Sequence, residues 1–138
     1  MRRGVPVLVA GLLALAVTPR LYAQEGGQAA GGGDFAVDES IAKKGKTLWA
    51  NRACNGCHTI GKGRLAGPDL AGVTDRRSVE WLQKWLGDTT SMLESDETAK
   101  ALLAEYNNTK MPDFKLKEAD AMALVHYIAQ ESKKAKKK

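Results

Sequence analysis

Cys54-Asn55-Gly56-Cys57-His58 is the stretch on which the reading of this chain turns, and it contains both of the cysteines among its 138 residues. Two thiols one turn apart can each add to one vinyl group of the same porphyrin, and the adjacent His58 then points at the iron. Gly56 has no side chain, so the backbone can turn tightly where a flat macrocycle must pass close by. Cys-x-x-Cys-His is the attachment pattern of c-type haem. Three other uses of paired cysteines compete with it. A structural disulfide suits an exported chain, but it leaves His58 unexplained and closes too short a loop to constrain much. A thioredoxin-like redox pair needs a strand-helix-strand setting. Structural zinc needs four ligands, and the only Cys and His residues are Cys54, Cys57, His58 and His126, the last far along the chain.

Outward from this motif the chain reads as helix and loop. A first helix is predicted from Asp38 or Glu39 to about Ala53, with Ile41, Gly45, Leu48 and Trp49 on one stripe and acidic residues at the end that the helix dipole favours. Residues 55–77 hold five glycines and Pro68 and read as a long ordered loop, a feature that usually carries function. Ser78 is the expected N-cap of the next helix, with Val79, Trp81, Leu82, Trp85 and Leu86 on its buried side and Gly87 ending it. A further helix spans Asp96 to Tyr106, carrying Leu102, Leu103 and Tyr106, and Asn107 to Pro112 breaks it. The last begins near Lys117, a poor cap, and places Asp120, Leu124, Tyr127, Ile128 and Glu131 at three-and-four spacing, with Leu124 and Tyr127 inward. No run of four or more alternating apolar and polar residues rich in Val, Ile or Thr appears. The fold class is therefore all-α, with four or so helices and long loops.

The ends have a different composition. Residues 1–23 read as a secretory signal peptide, with Arg2 and Arg3 before an apolar stretch from Val5 to Val17 and Ala23 before the cut. A membrane span needs ~20 apolar residues, and this stretch is shorter and contains Pro6; an uncleaved anchor is the alternative. Either reading sends the rest of the chain out of the cytoplasm, to the periplasm. Residues 24–33 form a Gly-rich flexible leader, residues 34–132 one domain, and residues 133–138 a Lys-rich tail expected to be mobile through self-repulsion. The net charge of +5 sits in these ends. Without Arg2, Arg3, Arg20, Glu25 and the five tail lysines, 13 basic residues face 15 acidic ones. No basic stripe is left to track phosphates, which excludes nucleic-acid binding. A domain this small buries a limited fraction of its surface, so a large apolar cofactor would contribute much of its core.

The chain resembles the class I c-type cytochromes, particularly the small bacterial mono-haem ones, over about residues 38–130. Gly45 and Trp49 stand where that family places a small and an aromatic residue on its first helix, and Leu124 and Tyr127 match the last-helix residues that pack against them. The resemblance implies a crossed pair of terminal helices. Gly67-Pro68-Asp69-Leu70 matches the loop whose proline carbonyl accepts a hydrogen bond from the proximal histidine, here His58, fixing the ring and tuning its donation to iron. Lys110-Met111-Pro112-Asp113-Phe114 matches the distal segment and makes Met111 the expected sixth ligand. Met92 and Met122 compete on residue type; a helical Met such as Met122 is more often plain packing. His126 is assigned to the last helix and not to the iron.

The resemblance thus implies one covalent haem c with His58 and Met111 on its iron. Trp81 and Trp85, one turn apart, are candidates to line the pocket or to donate an indole N–H to a propionate. With both axial positions filled, the expectation is electron transfer and no catalysis, at a potential raised by the soft thioether and by burial. The partners are expected to be a respiratory donor and a terminal acceptor, met briefly by a monomer through a small interface. The Lys tail is read as a solubilising end, with transient docking to an anionic membrane surface as its alternative. Two other functions are a subunit of a membrane respiratory complex, tethered by the leader, and a haem peroxidase or ligand-binding protein, which would need Met111 to leave the iron.

Overall fold

Asp38 begins the helical domain by accepting the Ser40 and Ile41 N–H groups on its carboxylate at 2.8 and 3.1 Å, the N-cap expected of an acidic residue there. The computed structural model describes residues 35–137; the stretches read as signal peptide (1–23) and leader (24–33), with Asp34 and Lys138, lie outside them. Among the described residues there are six α-helices, α1 Glu39–Asn51, α2 Val73–Arg76, α3 Val79–Gly87, α4 Thr89–Ser95, α5 Glu97–Glu105 and α6 Glu118–Ala135, with a 3-10 turn at Cys54–Gly56. They contain no strand, only an isolated parallel bridge between Thr59 and Asp69. The fold is all-α.

The largest contact joins α1 to α6, and α3 also packs on α6. Gly45 decides how closely α1 and α6 approach. A Cβ on it would lie 2.6 Å from the Ala123 carbonyl carbon and 2.7 Å from the Tyr127 Cβ, so only a hydrogen fits. The Trp49 and Tyr127 rings meet beside this crossing at 5.8 Å. The buried face of α1 is accordingly Ala42 and Gly45. Ile41, expected on that stripe, is exposed. Leu116, Ala121 and Leu124 form the buried centre, with Leu48, Trp49, Leu86 and Phe114 around it.

Three boundaries differ from the sequence reading. Residues 55–77 contain the single turn α2, which Gly72 enters at φ 67°. Thr89–Ser95, read as a connection, is helix α4, capped by Asp88, which accepts the Ser91 N–H at 3.0 Å. Helix α6 runs to Ala135, so the expected domain end at Ser132 falls inside it and the expected mobile tail begins as helix. Lysine is a good helix former and its charge complements the C-terminal dipole, and Lys134 and Lys136 reach Glu131 and Asp75 at 2.7 and 2.9 Å. Lys117 supplies no side-chain cap, while Glu118 and Asp120 place negative charge in the first turn of α6. Ser78, Gly87 and Asp96 act at the ends of α3 and α5 as the sequence indicates.

Candidate haem site

Ala53 leaves α1 in the left-handed conformation at φ 52°, which costs a residue with a Cβ about 1 kcal/mol, and turns the chain into the Cys54–Gly56 3-10 turn. The Cys57 and His58 N–H groups both return to the Cys54 carbonyl, at 3.2 and 2.9 Å. The motif is thus one tight turn, with Cys54 half-buried, Cys57 exposed and both thiols free. Burial pushes the Cys54 thiol pKa up.

The imidazole of His58 is held on an edge and on a face. Its Nδ1 lies 2.9 Å from the Pro68 carbonyl. A carbonyl can only accept, so Nδ1 carries the proton and Nε2 keeps its lone pair. Burial lowers the His58 pKa, against the opposing pull of the Pro68 bond, which favours the neutral ring. A Cβ on Gly67 would lie 2.5 Å from His58 Cε1 and 2.8 Å from Nδ1, so the ring rests on bare backbone, and the Gly67 N–H is tied to the Cys57 carbonyl at 2.8 Å.

Asp69 organises the rest of this loop, a role the sequence reading missed. Its carboxylate accepts N–H groups from Gly61 at 2.8 Å, Gly63 at 2.6 Å and Ala71 at 2.8 Å. Desolvation raises its pKa, but these bonds outweigh it and the value falls to about 2. An Asp placed among closely spaced glycines was the signal available in the sequence, since free N–H groups in a glycine loop need an acceptor. Behind the loop, Ser132 of α6 accepts the Gly72 N–H at 3.1 Å.

The second loop, from Asn107 to Leu116, starts with Asn107 and Asn108 at φ 54° and 59°. Met111 is half-buried there and its Sδ accepts the Trp85 indole N–H at 3.1 Å. Asp113 accepts the Thr90 N–H at 3.2 Å, and its hydrogen bond from Lys115 holds its carboxyl well below the usual range. The Leu116 N–H reaches the Leu86 carbonyl at 3.2 Å. Arg64 ties the first loop to the end of α5, donating to the Glu105 carbonyl at 2.9 Å and lying 4.0 Å over the Tyr106 ring; nothing in its sequence neighbourhood signals this.

Each of the two candidate pocket tryptophans has a protein partner for its indole N–H: Trp81 donates to Asp96 at 3.2 Å and Trp85 to Met111 Sδ at 3.1 Å. Met92 is buried and Met122 half-buried. His126 is buried, accepts the Asp38 N–H on Nδ1 at 2.9 Å and packs on Phe35 at 4.8 Å, which commits it to the fold. Among the described residues no three His, Cys, Asp or Glu side chains converge as a metal cage, against the zinc reading.

A free thiol pair, a histidine with its proton turned away from Nε2 and a glycine seat under the ring fit a covalently attached haem. A family model described as "Cytochrome c" matches residues 42–132. The chain belongs to the cytochrome c family. Its cofactor is therefore haem c with its iron, and Cys54 and Cys57 fit the attachment. Solved structures agree. A cytochrome c from Rhodothermus marinus is 30% identical, with a TM-score of 0.65 over 72% of this chain and 83% of that one. An engineered form of that cytochrome is 29% identical, with a TM-score of 0.64 over 72% and 84% of the two chains. The same engineered protein bound to a carbene intermediate is 28% identical, with a TM-score of 0.61 over the same shares. Among curated proteins there is no match. The family supports haem-based electron transfer as the general function of this cytochrome c.

Proposed function

We propose that this cytochrome c is a periplasmic electron carrier in which His58 and Met111 are the two axial ligands of the haem iron. The observation that carries the reading is the pair of side chains themselves. His58 follows the attachment cysteines with Nδ1 committed to Pro68, and Met111 presents a half-buried thioether on the segment that resembles the family's distal loop. When bound, haem c supplies a reversible one-electron change at iron.

The residues of the chain set the terms of that change. His58 donates through Nε2 with its ring fixed, so its geometry need not alter between the two charge states. Met111 offers a soft, neutral donor that favours the reduced state. Filling both axial positions leaves no place for substrate, which argues for carriage of electrons over catalysis. Cys57 is exposed, so the thioether it would form with haem would lie at the surface where a partner can approach. The expected partners are a respiratory donor and an acceptor, met briefly by a monomer. The export signal and leader support the periplasmic location. The lysines at the end of α6 are read as solubilising, since Lys134 and Lys136 already pair with Glu131 and Asp75. A subunit of a membrane respiratory complex is the alternative, and fractionation separates the two, because a free carrier is released with the periplasm.

The test of the ligand assignment is the ferric absorption spectrum. The wild type is expected to show a weak sulfur-to-iron charge-transfer band in the red. Met111→Ala is expected to lose it, and Met92→Ala, Met122→Leu and His126→Gln to keep it. A band that survives in Met111→Ala contradicts the assignment.

A further inference from the structure

We propose that Trp85 is a positioning residue for Met111, and that its indole N–H, by hydrogen bonding to the thioether, raises the reduction potential of the centre. The inference rests on the reading of Met111 as an axial ligand and goes beyond it to what sets the strength of that ligand.

Two features make the contact more than packing. Thioether sulfur is a weak acceptor, and a half-buried indole N–H ordinarily finds oxygen; here Nε1 sits 3.1 Å from Met111 Sδ. The indole is also aimed from behind. Trp81, one turn earlier on α3, stacks on Trp85 at 5.4 Å with 9° between the planes. Trp81 is itself held by Asp96, which accepts its Nε1–H at 3.2 Å and caps α5 through the Ala99 N–H at 2.8 Å. At the far end of α3, the Trp85 carbonyl accepts the hydroxyl of buried Thr89 at 2.7 Å. The ring and the backbone of Trp85 are therefore both fixed, and the N–H points where Met111 must bring its sulfur.

Sulfur in a thioether has two lone pairs. With one taken by the indole N–H, the other is left for the metal, so the bond selects one orientation of the Met111 methyl group. It also draws electron density from the sulfur. A poorer donor stabilises the ferric state less, and the balance moves toward the ferrous state.

Trp85→Phe keeps an aromatic ring against Trp81 and deletes the donor. Trp81→Phe makes the same deletion one turn away without touching the sulfur. In haem-loaded protein, Trp85→Phe is expected to lower the potential, with the equilibrium constant for reduction falling roughly threefold to tenfold, the effect of one net hydrogen bond. It is also expected to shift the red band, while Trp81→Phe moves both less. A second readout needs no variant of Trp85: exchange of its indole proton in the reduced protein is expected to be slow in the wild type and fast in Met111→Ala. An unchanged potential and band in Trp85→Phe overturns the proposal, as does an equal change in Trp81→Phe or fast exchange in the wild type. If Met111→Ala keeps the red band, the ligand reading itself has failed; if it loses the band while Trp85→Phe behaves as wild type, only this proposal has.

Discussion

The loop that carries Pro68 and the loop that carries Met111, which the proposed function puts on the two sides of one haem, are held by different means. The first is tied by its own backbone: the Asp69 carboxylate gathers the Gly61, Gly63 and Ala71 N–H groups, Gly67 is bound to Cys57, and Ser132 backs it from α6. The second is tied mainly by side chains near water. Lys115 bridges Asp88 and Asp113 at 2.7 and 2.9 Å while more than half exposed, a kind of pair worth little in solution, and two asparagines take left-handed backbone. The Pro68 loop is therefore the stiffer of the two, and under the proposed ligation Met111 is the ligand expected to leave first.

The largest effect is expected on the stiff side. Gly67→Ala drives a methyl group into the His58 ring, 2.5 Å from Cε1, so haem-loaded protein should be recovered in much lower yield, with His58 displaced. Near-normal yield and spectrum would mean that the ring is not seated on Gly67.

Asp69→Ala leaves three backbone N–H groups without their acceptor and should lower unfolding stability by about 2–4 kcal/mol in denaturant. Asp113→Ala, the corresponding change on the Met111 loop, should cost clearly less, because its partners are exposed to water. Equal losses would remove the distinction between the loops.

Acid gives a smaller, reversible form of the same comparison. The Asp69 pKa is depressed to about 2 from 3.8, so its carboxylate binds fewer protons folded than unfolded, and its contribution is complete above the ordinary value. That contribution is lost as pH falls from about 4 to about 2 and amounts to roughly 1–2 kcal/mol after allowance for water near the group. Unfolding at pH 5 and at pH 2.5 measures it, and Asp69→Asn should flatten the difference. The smallest effect is expected at the end of α6, where Lys136→Ala removes one exposed pair with Asp75 and should leave the unfolding midpoint in denaturant nearly unchanged.

What the sequence disclosed follows a physical division. Periodicity located α1, α3, α5 and α6, because an amphipathic helix writes its buried face into spacing, while the Gly45 and Tyr127 crossing was implied by the resemblance to the class I cytochromes. Local chemistry placed the attachment turn, and the resemblance placed the Pro68 carbonyl beside His58. Helix α4 was not legible: Thr89-Thr90-Ser91 resembles a connection, and only Asp88, as a cap, marked it. The lysines after Ser132 were read as repelling one another, whereas at a helix end they complement the dipole and find Glu131 and Asp75. The Trp85 to Met111 and Arg64 to Tyr106 contacts join residues far apart in the chain, and no pattern in one sequence states such a pairing.

Reaction of the reduced wild-type protein with carbon monoxide at neutral pH tests most directly the claim that both axial positions are filled by side chains and the protein is a carrier. Negligible binding is expected on mixing, with ready binding in Met111→Ala. Ready binding by the wild type would contradict the account, since an open sixth position would make a ligand-binding protein or an enzyme the better reading.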